Sequence, residues 1–214
     1  MSDDLPIRLP GVLRDGDDAG AIDVLQEYFT RPFVKTGHIR TGARWDSWDP
    51  SGRREADVDT FTADDLVAIT LLSVQVPAQG AWIMLGEASS ELNRLLAAVG
   101  PDRDLVDESD TMTPESPVWQ LETALREIHG IGRIVASKLI ARKRPRLYPI
   151  YDDVVGRQLG TKAAHLEPVR LALRDGGGVL HRRLVDLRDR AGLDEAVPAV
   201  RILGVLAWMQ GKGY

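Results

Sequence analysis

Residues 125–155 read LREIHGIGRIVASKLIARKRPRLYPIYDDVV, and the reading of this stretch decides the fold. A helix arriving from Pro117 stops at about His129, where Gly130-Ile131-Gly132 interrupts it. A second helix is predicted over 133–143, with Val135, Ala136, Leu139 and Ile140 as its packing face. Pro145 and Pro149 then force an extended passage, and another helix follows Asp152. Between Arg126 and Arg146 stand Arg126, Arg133, Lys138, Arg142, Lys143, Arg144 and Arg146 against Glu127 alone, in a chain whose formal net charge is −5. The acid lies elsewhere, in Asp3, Asp4, Asp15, Asp17, Asp18, in EADVD at 55–59 and in DRDLVDESD at 102–110. That asymmetry predicts a protein that meets a polyanion with one face.

Two glycines flanking an apolar residue between helices have a physical use. A helix-hairpin-helix must bring main-chain N–H groups close to a phosphate, and glycine leaves nothing in the way. The next helix then offers unpaired amides and its positive dipole end to the anion. Ile128-His129-Gly130-Ile131-Gly132 has the required spacing, with Arg133 and Lys138 expected to add charge nearby. The competing reading is a plain helix stop before an ordinary helix, with the charges on a solvated face.

The rest of the chain reads as helices joined by short connections. Helices are expected at 19–30, from Thr62 to a stop at Pro77, at 78–85, 88–98, 165–174, 178–190 and 194–210. Residues 1–61 are expected to form an irregular extension packed on a helical domain at 62–214, whose hairpin spans about 118–143. Trp45 and Trp48, in a Gly-rich setting with Arg40 and Arg44, are candidates for a base-stacking platform. The acidic stretch at 102–117 is a connection that could separate two lobes. The absence of cysteine excludes disulfides, thiolate catalysis and Cys-ligated zinc or iron–sulfur sites. Nothing approaches the roughly 20 apolar residues of a membrane helix. A cytoplasmic location with no membrane partner is expected, and the four histidines lack a metal spacing.

HGIGRIVA at 129–136 resembles the PGVGRKTA-like hairpin of the helix-hairpin-helix DNA glycosylase superfamily, and is close to an uncharacterised bacterial family of that type. ITLLSVQVPAQGAW at 69–82 looks like that superfamily's LLSAQT helix end, and VPAVRILGVLAWMQ at 197–210 is similar to its closing helix. The likeness covers about 62–210. It implies a mainly α, glycosylase-like helical fold and double-stranded DNA as partner. It also implies backbone contacts from Gly130, Ile131, Gly132, Arg133 and Lys138, Gln75 beside the base stack, and Asp152 as the catalytic carboxylate. No metal or organic cofactor is implied, beyond room for a monovalent cation at the hairpin. Ile134 stands where the bifunctional enzymes carry their Schiff-base lysine, so a monofunctional mechanism is expected. Asp152 could instead cap the helix that follows it. A non-catalytic DNA-backbone module and a protein-interaction descendant of the fold are the alternatives.

Overall fold

In the computed structural model, residues 5–214 are described. Residues 1–4, the start of the expected irregular lead-in and the site of Asp3 and Asp4, lie outside the described residues. The chain is mainly helical, and no strand occurs among the described residues. The order is α1 (Gly11–Arg14), α2 (Asp18–Phe29), α3 (Ala63–Ala68), α4 (Ala78–Leu85), α5 (Ser89–Ala98), α6 (Pro117–Glu127), α7 (Arg133–Lys143), α8 (Asp153–Leu159), α9 (Leu166–Arg190) and α10 (Ala199–Gly211). Single 3-10 turns occur at Thr41–Arg44, Ile69–Leu72 and Leu105–Asp107.

The boundaries follow local chemistry. Asp17 accepts from the Gly20 amide at 2.8 Å to start α2, and Thr62 with Asp65 closes a reciprocal capping box on α3. Pro117 opens α6 at a position where its missing N–H costs nothing. Gly160 ends α8 in the left-handed region at φ 74°. Within α9 the run Asp175–Gly178 leaves helical geometry, three successive glycines taking positive φ, so that two helices meet at a kink. The helix expected to run from Thr62 to Pro77 is shorter: α3 passes into the 3-10 turn at Ile69–Leu72, and Ser73 adopts φ 60°, ψ 33°. The apolar spacing of Leu72 and Val76 continues past that bend without a helix to carry it.

α10 is apolar almost all round, with Ile202, Leu203, Val205, Leu206, Ala207 and Met209 buried, and accordingly runs through the middle of the molecule. It packs on α8, α2 and α9, while α5 packs on α6 and α6 on α7. The buried side chains form one cluster from Ile7 to Met209. The acidic connection does not divide it: Leu105 and Met112 are buried there, and Arg170 and Arg174 donate to the carbonyls of Glu108 and Val106. Leu13, Leu25, Tyr28, Trp45 and Phe61, from the segment before residue 62, belong to the same core.

The largest departure from expectation is α7. Residues 136–143 are buried without interruption. Lys138 is 3 % exposed and Arg144 0 %, so the basic run points inward. Buried charge is tolerated only where donors find acceptors, and here main-chain carbonyls supply most of them. Arg142 donates to the carbonyls of Trp45 and Trp48. Lys143 reaches the Asp57 carbonyl at 3.1 Å and the Asp65 carboxylate at 2.6 Å. Arg144 takes the carbonyls of Val58 at 2.9 Å and Leu96 at 3.0 Å, and pairs with Asp59. Burial depresses the Lys143 and Arg142 pKa values against the opposing pull of Asp65. The loop at 45–59, which has no apolar periodicity, gives these cations the carbonyls of Trp45, Trp48, Asp57 and Val58.

Candidate nucleic-acid interface

The turn between α6 and α7 is built with its apolar residues down and its glycines up. Ile128 and Ile131 are buried, whereas His129, Gly130 and Gly132 are exposed. Ile128 leaves helical geometry at ψ 122°, and the Ile131 amide closes the turn on the Ile128 carbonyl at 3.0 Å. That amide, expected to face a phosphate, is therefore spent inside the turn. Among the described residues the amides of Gly132, Arg133, Ile134 and Val135 have no protein acceptor, as the first turn of a helix dictates.

The two glycines differ in what they do. Gly130 has φ +85°, and a Cβ there would stand 2.6 Å from Cγ of Pro77, so the fold itself demands glycine. Gly132 has φ −86° and ψ 178°, which any residue adopts, and a Cβ there would meet nothing within 4 Å. Its missing side chain serves no contact inside the protein and leaves the space above the first turn of α7 open.

The segment 73–77 and the carboxylate loop flank this turn. Pro77 packs on Gly130, and Gly80 of α4 sits so close to the His129 carbonyl that a Cβ would lie 3.3 Å from it. Gln75, expected beside the base stack of bound DNA, is exposed between these contacts and the bend at Ser73. Tyr151 is held from α7: its amide donates to Ser137 Oγ at 3.0 Å, and its ring lies 3.9 Å beneath the Arg133 guanidinium. Asp152 follows immediately. Its Oδ1 accepts from the Val154 amide at 2.9 Å, capping α8, and its Oδ2 lies 3.8 Å from Lys138 Nζ. Its side chain is 26 % exposed.

One expected contact needs correction, and a second residue is partly engaged within the protein. Lys138 does not stand at the surface: its ammonium donates to the Leu72 carbonyl at 3.1 Å from a buried position, and burial lowers its pKa while Asp152 opposes the shift. Arg133 spends a donor on the Lys162 carbonyl at 2.6 Å while stacking on Tyr151, so it braces the loop before Asp152 and is only partly exposed. The suggested stacking platform does not exist either. Trp45 is 1 % exposed, Trp48 packs against the core, and both give their carbonyls to Arg142.

Several supports of the site went unrecognised in the sequence. Ser137 ties α7 to the loop through Tyr151. Behind Tyr151 lies His165, edge-on at 5.4 Å, with Nδ1 2.8 Å from Thr161 Oγ1. Burial, with Arg133 close by, pushes its pKa down to about 4. Ser137, between Ala136 and Lys138 in the sequence, and His165 carried no signal of these contacts. Among the described residues no three His, Asp or Glu side chains converge as a metal site requires, and no helix is long and apolar enough to cross a membrane.

The chain belongs to a family of unknown function, DUF6308, whose model matches residues 21–211. No curated protein and no solved structure matches it. The family match starts well before residue 62, and so takes in the segment that the buried cations of α7 hold in place.

Proposed function

We propose that this member of the DUF6308 family grips the sugar–phosphate backbone of double-stranded DNA at the turn between α6 and α7 and, in the manner of monofunctional DNA glycosylases, excises a modified base with the help of Asp152. The observation that carries the reading is Gly132: an ordinary backbone conformation, an exposed position and open space where a side chain would stand. A phosphate oxygen brought into that space meets amides that lack protein acceptors, at the positive end of an eleven-residue helix.

The chemistry would be hydrolytic. A base flipped from the duplex leaves with the electron pair of its N-glycosidic bond and takes up one proton; water adds its oxygen to the anomeric carbon, keeps one O–H there as the new hydroxyl and gives up one proton, which balances the proton gained by the base. The carboxylate at 152 would stabilise the cationic sugar and orient that water. With Ile134 at the Schiff-base position, no amine there competes with water.

A second reading is favoured by one contact. Asp152 already caps α8, an adequate reason for an aspartate at that place, and the protein would then bind backbone without cutting a base free. Incubating wild type and Asp152→Asn with duplexes carrying a panel of damaged bases separates the two. Release of a free base by wild type alone, with duplex binding retained in the variant, supports the enzyme. Binding by both with no release from any lesion leaves the non-catalytic module.

A further inference from the structure

Asp152 poses an electrostatic difficulty for the function proposed above, and the structure holds a specific answer to it. A carboxylate beside a DNA-binding turn repels phosphate, and like charges brought together at an interface oppose association. Behind this carboxylate stands a single ammonium, Lys138 Nζ, at 3.8 Å from Oδ2. Lys138 is 3 % exposed in its side chain and Asp152 26 %, so the carboxylate lies between the buried cation and solvent. Lys138 is also surrounded by reasons not to be charged: it is buried, and Arg201, itself bonded to Tyr28 Oη and the Gly42 carbonyl, adds like charge. The compensating groups are Asp152 and the Leu72 carbonyl.

We infer that Lys138 is the internal counterion of Asp152, a positioning residue that neutralises the carboxylate from within and fixes its direction, so that an acidic group can face a polyanion. Two geometric facts support this beyond the bare ion pair. The two oxygens of Asp152 are separately engaged, Oδ1 by the Val154 amide and Oδ2 towards Lys138, which leaves one orientation of the carboxylate. The same ammonium bonds the carbonyl of Leu72, the residue before Ser73, which alone among the described non-glycine residues has positive φ. One buried charge therefore joins the carboxylate loop to the bend from which Gln75 leaves.

The inference rests on duplex binding at this site, and a double-mutant cycle separates the two. Affinity of the full chain for a fluorescent duplex of about 20 base pairs is measured at about 50 mM salt, where phosphate contacts weigh most. The cycle uses wild type, Lys138→Met, Asp152→Asn and the double variant, with thermal unfolding of each. Lys138→Met is expected to weaken binding about tenfold, through an uncompensated carboxylate. In the Asp152→Asn background the same change is expected to alter affinity less than about twofold. A double variant as weak as Lys138→Met overturns the inference while leaving the function standing. Failure of all four proteins, wild type included, to bind duplex overturns the functional reading and the inference with it. Should Lys138→Met not fold, Lys138→Gln takes its place, and equal affinities for that variant and wild type contradict the proposal.

Discussion

Gly130 and Gly132 look alike in the sequence and are unlike in the structure. A side chain at 130 collides with Pro77 and strains a left-handed backbone, so Gly130→Ala should destabilise the protein by about 1–3 kcal/mol in urea unfolding. Gly132→Ser should leave stability within about 1 kcal/mol of wild type, because Ser is at home at a helix N-cap with this backbone. Its hydroxyl would, however, occupy the open space and take a first-turn amide, and duplex binding should fall. Spacing alone revealed that both residues belonged to a turn. Which one the fold needs and which one it leaves free was illegible, because Pro77, the deciding neighbour, is distant in the chain. The same holds for Asp152: its place before a helix was readable, but its pairing with Lys138 depends on a side chain turning inward.

α7 shows how a helix can be located correctly and oriented wrongly. Gly132 before it and Pro145 after it made its limits plain, while Lys138, Arg142, Lys143 and Arg144 suggested a solvated or DNA-facing surface. They are buried because carbonyls from 45–59, 72 and 96–100 receive them, and carbonyl direction leaves no trace in residue identity. Asp65 is the carboxylate of this arrangement that is itself buried, 2.6 Å from Lys143 and 3.5 Å from Arg142. Removing one partner of a buried ion cluster leaves charge uncompensated. Asp65→Ala should therefore cost about 3–5 kcal/mol, including the lost cap on α3. Breaking the exposed pair Arg94–Glu91 by Arg94→Ala should cost less than about 1 kcal/mol. Chemical denaturation of the two variants side by side checks the contrast, and equal losses would place α7's cations at the surface after all.

Across the molecule, one core joins the N-terminal helices, the α6–α7 turn and the carboxylate loop, so conditions that loosen one region reach the others. His165 sits behind that loop with a folded pKa of about 4 against 6.5 for the free side chain. Its pKa is depressed, so its contribution is fully present above pH 6.5, where both states are neutral. It is lost as pH falls towards 4, because the unfolded chain takes up the proton first. The difference corresponds to about 3 kcal/mol. Urea midpoints at pH 7 and pH 4.5 should therefore separate more in wild type than in His165→Asn. An unchanged separation would mean that His165 does not stay neutral in the folded state.

The inward turn of the basic helix also constrains the proposed function. With most of the cations of α7 engaged inside, duplex binding at this turn would rest on the amides at Gly132 and a few exposed charges. The most direct test is duplex affinity as a function of salt for wild type and Gly132→Ser. Wild type is expected to bind measurably with a shallow log–log slope, of magnitude below about 3, and a Gly132→Ser protein of unaltered stability at least tenfold more weakly. Equal affinity of the two, or a slope as steep as a full row of phosphate-bound lysines and arginines would give, contradicts this expectation.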